Sequence, residues 1–308
     1  MGKKYISRRK FGSSAALISS AAVASSLTSC GNAHLGGRSI STPLSMVKTL
    51  PSDPKDQLIA MVKMMGTMAE ERVVWKTKGK IFAILPDDVI LLYGMRGSES
   101  TWWKQIDDET FVRYNSTMSF FTDPITDEII DEFKSPINGN TIKLPVSYIR
   151  HKEGEWFTPM GVYYGSMKRV FPDHYKDKPL QLDWTLDNDI IRRQDGDNFP
   201  PIIPQPSMEY VSFFTRASEL FDTSLARADS VSAGWNIMAG SRSPYKELGI
   251  PPGNVNWHFD AVKIKDVEEL DEDYLLRARA HSDRFDISPE MDEGPSFFER
   301  ILKMRGFS

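Results

Sequence analysis

Val73-Val74-Trp75-Lys76-Thr77-Lys78-Gly79-Lys80-Ile81-Phe82-Ala83-Ile84-Leu85, then Pro86-Asp87-Asp88, then Val89-Ile90-Leu91-Leu92-Tyr93-Gly94-Met95 is the passage on which the fold turns. β-Branched and aromatic residues fill both runs, and a proline with two aspartates parts them, as expected of two strands joined by a turn. The same pattern continues to Gly165. Further runs lie at Phe111–Phe121, Ile129–Phe133, Thr141–Ile149 and Trp156–Tyr164, separated at intervals of about 8–12 residues by turn-forming residues. Gly97-Ser98 reads as one more break. This spacing predicts an antiparallel meander that bends into a curved sheet or a lipocalin-like barrel. The fold class is therefore mainly β, with some helix (α+β).

Helices are expected at both ends of the meander. Pro54 opens a segment in which Leu58, Ile59, Met61, Val62, Met65 and Met68 recur at helical spacing, and the methionine stripe reads as packing rather than as a soft-metal site. Downstream, Leu182–Leu186, Glu209–Phe214 and Val255–Ile264 read as strands. An N-capped helix is expected from Asp266 to about His281, and Phe297–Met304 as a short terminal helix. A single β-rich domain at 53–281 followed by a tail at 282–308 accommodates these elements.

Two turns in the middle of the chain carry a resemblance. Phe120-Phe121-Thr122-Asp123-Pro124-Ile125-Thr126-Asp127-Glu128-Ile129-Ile130-Asp131, continuing to Ser135-Pro136-Ile137-Asn138-Gly139, resembles a bacterial and fungal family known only as domain of unknown function 1838. Its members carry an Asp-Pro-x-Thr-Gly turn and then an Asn-Pro-x-Thr-Gly turn between strands. This chain departs from that pattern at Asp127, Ser135 and Asn138. Trp235 and the Gly-Pro loop before Trp257-His258 are similar to the family's C-terminal half, so the likeness covers roughly Leu58 to Tyr274. The resemblance implies a mainly β architecture and supplies no catalytic residue.

The N-terminus reads as an address. Ser7-Arg8-Arg9-Lys10-Phe11, an Ala/Ser-rich apolar stretch and Leu27-Thr28-Ser29-Cys30 fit a twin-arginine signal peptide (1–29) ending at a lipoprotein cysteine. The stretch is well short of the roughly 20 apolar residues of a membrane span. The expectation is a chain lipidated on Cys30, with 30–52 as a flexible tether. It would be exported, periplasm-facing and attached to the membrane through its lipid. Gly31 rather than an aspartate after the cysteine favours the outer membrane of a two-membrane bacterium. Losing Lys3, Lys4, Arg8, Arg9 and Lys10 leaves 33 of the 38 basic residues against 42 acidic ones. That balance opposes a nucleic-acid partner. Cys30 is the only cysteine, which leaves no disulfide and no thiol chemistry once it is acylated.

No spacing encodes a cofactor. His151, His174, His258 and His281 form no His-x-x-x-His or His-Glu-x-x-His pair, so no metal is assigned, and no phosphate-binding glycine loop or Gly-x-Ser-x-Gly elbow occurs. Asp183, Asp187, Asn188 and Asp189 lack the order of a calcium loop and read as a solvated hairpin. On the strand Val255–Ile264, Val255, Trp257, Phe259 and Ala261 point one way, and Asn256, His258 and Asp260 the other. His258 beside Asp260 suits a general base with its orienting acid, or else simply a polar outer face. Arg150-His151 reads as rim. The spread of Trp75, Tyr114, Trp156, Tyr163 and Trp257 over the strands, with Arg150, suits a ligand cavity inside a curved sheet, or else a solid aromatic core.

Three functions follow as expectations. The first is binding, with possible transformation, of a small hydrophobic molecule. The second is a cofactor-independent isomerase or hydrolase using His258 and Asp260, with Arg150 as anion partner, an assignment that a solvent-facing His258 removes. The third is a non-catalytic envelope protein that holds a partner through its acidic surface or tail helix.

Overall fold

A computed structural model describes residues 50–198, 208–239, 245–251 and 254–307. Arg8, Arg9, Cys30 and most of the tether lie outside the described residues. Twelve strands are present among those described: β1 (Arg72–Leu85), β2 (Asp88–Asp107), β3 (Thr110–Thr122), β4 (Glu132–Lys134), β5 (Thr141–Lys143), β6 (Ser147–Thr158), β7 (Gly161–Tyr164), β8 (Asp183–Asp187), β9 (Ile190–Asn198), β10 (Met208–Arg216), β11 (Ser232–Ala239) and β12 (Val255–Ile264). Helices are α1 (Pro54–Met65), α2 (Gly165–Val170), α3 (Ala217–Leu220), α4 (Glu272–His281) and α5 (Phe297–Met304).

Ten of the strands form one antiparallel sheet in the order β7-β6-β3-β2-β1-β12-β11-β10-β9-β8, while β4 and β5 make a separate hairpin. The chain therefore meanders outward from β1, crosses to the far edge, and meanders back until β12 pairs with β1 from Ala83↔Val255 to Val74↔Ile264. The sheet is curved but does not close. Its edges β7 and β8 are not paired, which corrects the barrel half of the expectation. The segment before β8 instead reaches the β6–β7 turn through Lys178 N–H to the Met160 carbonyl (3.2 Å) and Leu180 N–H to the Pro159 carbonyl (2.7 Å).

Helix α1 fills one end of the concave face. Its Asp53 cap accepts from Lys55 N–H, and Pro54 occupies its first turn, where the missing N–H costs nothing. Leu58, Met61 and Met64 are buried with Trp103 of β2, Phe157 of β6, Trp184 of β8 and Phe213 of β10, so one helix joins both halves of the sheet. Lys263 of β12 secures the end of α1. Its ammonium donates to the carbonyls of Lys63 (3.1 Å), Gly66 (3.1 Å) and Ala228 (2.8 Å). At the other end Ile81, Leu92, Tyr93, Phe121, Leu248 and Phe259 form a second core. On the convex side α4 lies over Val74, Met118 and Phe120, with Tyr274 OH donating to the Met118 carbonyl (2.8 Å).

Several elements differ from the sequence expectation. Gly97-Ser98 lies inside β2, paired with Thr77 on one side and with Ser119 and Met118 on the other, and Ser98 Oγ shares a hydrogen bond with Tyr274 OH (2.9 Å). Two paired neighbours satisfy a backbone that reads as a turn in isolation. Of Ile129–Phe133, only Glu132 and Phe133 enter a strand, β4, and Ile129 makes an isolated bridge to Thr122. Thr141–Ile149 divides into β5 and the start of β6. The helix expected from Asp266 begins instead with a 3-10 turn at Val267–Glu269 and resumes as α4.

Candidate functional site

The concave face is packed at both ends and open between them. A cavity of 920 Å³ lies there, with Thr77, Glu99, Asn115, Thr117 and Ser119 in its wall. Short side chains at the middle of β1 and β3 leave space that the long apolar residues at either end do not reach. Rings from Tyr164, Phe213, Trp235, Phe259, Phe297 and Phe298 supply much of the remaining wall.

One side of the cavity is charged. Alternation on β3 aims Arg113, Asn115, Thr117 and Ser119 inward, between the buried Phe111 and Phe121. Arg113 pairs with Glu155 and Asn115 with His151, so three residues on β3 oppose five on β6. That bulge is centred on Gly154 at φ 72°, where a Cβ would stand 2.5 Å from Val112 Cγ2. It expels Glu153, which accepts instead from Ser166 N–H (3.1 Å) and Ser166 Oγ–H (2.9 Å) at the start of α2, and leaves His151 and Glu155 both on the cavity wall. Gly154→Ala should lower stability by about 1–3 kcal/mol through left-handed strain and this close approach, measurable as an earlier urea midpoint.

Arg113 is 12% exposed and bridges two carboxylates. Its Nη1 donates to Glu99 Oε1 (3.4 Å) and its Nη2 to Glu155 Oε2. Asn115 Nδ2 also donates to Glu99 Oε1 (2.9 Å). Burial works against the Arg113 charge, but Glu155 and Glu99 raise its pKa above the ordinary arginine value. Burial, with repulsion from Arg113, pushes His151 down to about 4, so its imidazole is neutral at physiological pH. Burial and the neighbouring Glu155 hold Tyr164 in its protonated form. Behind them Arg193 bonds to Asp195, with burial and Arg113 lowering it to about 9. Three atoms of this wall have no hydrogen-bond partner: Arg113 Nε, Asn115 Oδ1 and His151 Nδ1.

Helix α5 covers the charged wall. Ser296 and Glu299 form its capping box, with Glu299 N–H donating to Ser296 Oγ (3.1 Å) and Ser296 N–H to Glu299 Oε2 (2.7 Å). Phe297 and Phe298 then pack on His151 at ring separations of 5.3 and 5.1 Å, and Tyr164 packs at 5.2 Å. The tail helix thus packs its two phenylalanines against the cavity wall. Arg150 holds the segment leading to it. Its Nε and Nη2 donate to both oxygens of Asp292 (2.6 and 2.7 Å), and Nη1 donates to the Arg284 carbonyl (2.7 Å).

The sequence-based site residues are scattered. Tyr163 lines the cavity. Trp75 is buried beside α1 and donates through Nε1 to the Met65 carbonyl (3.1 Å), and Trp257 packs at the far end against Phe121, Tyr245 and Phe259. Tyr114, Arg150 and Trp156 fall on the opposite face of their strands. His258 and Asp260 are exposed on the outer face of β12, a placement that removes them as a pair acting within the cavity. Among the described residues no group of three or more His, Cys, Asp or Glu side chains is placed to hold a metal ion. Glu99, Arg113, Asn115 and Glu155 escaped the sequence reading, and His151 reads there only as rim. The signal available was a row of polar residues on β3 in phase with two core phenylalanines.

Residues 70–296, which contain both proline turns and this whole wall, match the family described as "Protein of unknown function (DUF1838)". The chain belongs to the DUF1838 family. The match leaves out α1 and α5, so in this DUF1838 chain the helix that fills one end of the sheet and the helix over the cavity both lie beyond the matched residues. No curated protein matches the chain.

Proposed function

We propose that this DUF1838 chain binds a small, largely apolar molecule in the concave face of its sheet. The observation that carries the reading is the 920 Å³ space, near the top of the range of about 300–1,000 Å³ for sites that enclose a small organic ligand. Its wall has the usual composition of such sites, mostly aliphatic and aromatic with a few clustered polar groups. Nile red, a neutral apolar fluorophore, should bind with a blue shift. Thr117→Trp, which projects an indole into the space, should weaken that binding by at least about tenfold, or about 1.4 kcal/mol. Absence of binding, or equal binding to the variant, would defeat the reading.

The place of action belongs to the same proposal. Ser7–Phe11 and Leu27–Cys30 support export and lipid attachment, which would hold the cavity beside a membrane that concentrates apolar compounds. Cys30→Ala should move the exported protein from the membrane pellet to the soluble periplasmic fraction. Unchanged fractionation would count against the anchor.

A further inference from the structure

We infer that the end of α5 docks this chain on an anionic lipid bilayer and turns the mouth of the cavity towards it, an inference that rests on the membrane half of the reading above. Among the described residues that line the cavity, only Met304 and Arg305 are exposed. Both lie at the C-terminal end of α5, so the cavity meets its surroundings there. Met304 is 77% exposed and Phe307 41%, although the same helix buries Leu302 against Met167 of α2. Phe307 is held beside Phe171 at a ring separation of 5.3 Å. The chain's own packing thus leaves two large apolar side chains beside the mouth, where contact with the boundary of headgroups and acyl chains would cover them.

Charge selects the occupant. From Gly165 to Val170 and from Phe297 to Phe307 the chain carries Lys168, Arg169, Arg300, Lys303 and Arg305 against one acid, Glu299, whose carboxylate is engaged in the α5 capping box. The loop after α2 adds Asp173 and Asp177 together with Lys176 and Lys178, and so no net charge. Glu290, Asp292 and Glu293 precede α5 at its other end, the first two paired with Lys104 and Arg150. The chain as a whole carries a formal net charge of −4. A basic end on an acidic body draws the mouth to a negative surface and keeps the rest of the molecule away from it. A second copy of the chain would instead bring the same cations face to face. Such a contact is reversible and salt-sensitive, unlike an acyl anchor, and a salt wash separates the two.

The test uses the Cys30→Ala protein, which has no acyl anchor and, because Cys30 is the only cysteine, no thiol. It should sediment with vesicles of phosphatidylcholine containing about one third phosphatidylglycerol and stay in solution with phosphatidylcholine alone. Arg169→Glu combined with Lys303→Glu, both outside the cavity lining, should weaken sedimentation at least about tenfold while keeping the parent's circular dichroism. If that variant does not fold, salt at about 0.5 M should weaken sedimentation of the parent in the same way. Orientation is read with a nitrobenzoxadiazole label, which brightens in lipid. Attached at Met304→Cys it should brighten on the anionic vesicles, and attached at Leu276→Cys, a site 66% exposed on the convex side, it should not. Sedimentation with neither vesicle or equally with both, a folded variant or a high-salt sample that sediments like the parent, no brightening at the Met304 site, or equal brightening at the Leu276 site would each overturn the inference. The Nile red and fractionation experiments decide the earlier reading by themselves, so failure of one is distinguishable from failure of the other.

Discussion

Arg113→Met is expected to lower stability by about 3–5 kcal/mol, because it strands two largely buried carboxylates without their shared cation. Glu99 and Glu155 are 15% and 16% exposed and converge on this one guanidinium. The arginine also lies over the rings of Trp103 (5.9 Å) and Phe157 (5.6 Å), so its loss removes packing together with charge. Methionine replaces much of the volume, which isolates the electrostatic part of the penalty. The triple variant Arg113→Met, Glu99→Gln, Glu155→Gln should recover most of the loss, since it removes the stranded charges along with the cation. Urea unfolding of the single and triple variants checks both statements. A single variant within about 1 kcal/mol of the parent would show that the cluster is better hydrated than its burial implies.

Acid should destabilise the protein by about 3 kcal/mol through His151 alone. The folded state holds this imidazole at about 4, whereas the unfolded chain takes up its proton near 6.5. Below that pH the unfolded state binds the proton more readily. The stabilising contribution is therefore complete above about pH 6.5, declines as the pH falls towards 4, and is constant below that. Tyr164, Phe297 and Phe298 surround the ring and leave little water to solvate an imidazolium. His151→Phe preserves the ring contacts and removes the proton, so the difference in unfolding free energy between parent and variant should shift in favour of the variant across this window. A difference that does not change with pH would mean that His151 reaches solvent.

Much of the framework was legible because its causes are local. Strand β12 and helix α5 have the bounds read from periodicity, Val255–Ile264 and Phe297–Met304. The first proline turn is also where the chain places it, with Asp123 Oδ1 accepting from Ile125 and Thr126 N–H (both 2.8 Å) and Asp127 at φ 64°, a left-handed conformation that favours glycine. Strands β9 and β11 were not foreseen. Arg192-Arg193-Gln194-Asp195 shows no apolar alternation, and Arg193 is nonetheless buried beside Met65 and Asp195. His151 reads as rim because the turn that follows it, Lys152-Glu153-Gly154-Glu155, is charged. The bulge that holds Glu153 off the wall shared by His151 and Glu155 is a matter of register with β3, and register is a relation between strands.

Alternation in single strands and the dihedral preferences of proline, asparagine and glycine were enough to establish a β meander, its principal turns and the helices at its ends, because those preferences act within a few residues. Each alternating strand offers two faces, and nothing local decides which of them will be enclosed. That choice was made by β12 returning to β1, by the curvature of ten paired strands and by α1 closing one end of the hollow. It placed His258 and Asp260 outside and Glu99, Arg113, His151 and Glu155 inside, since enclosure, unlike periodicity, depends on every strand of the sheet at once.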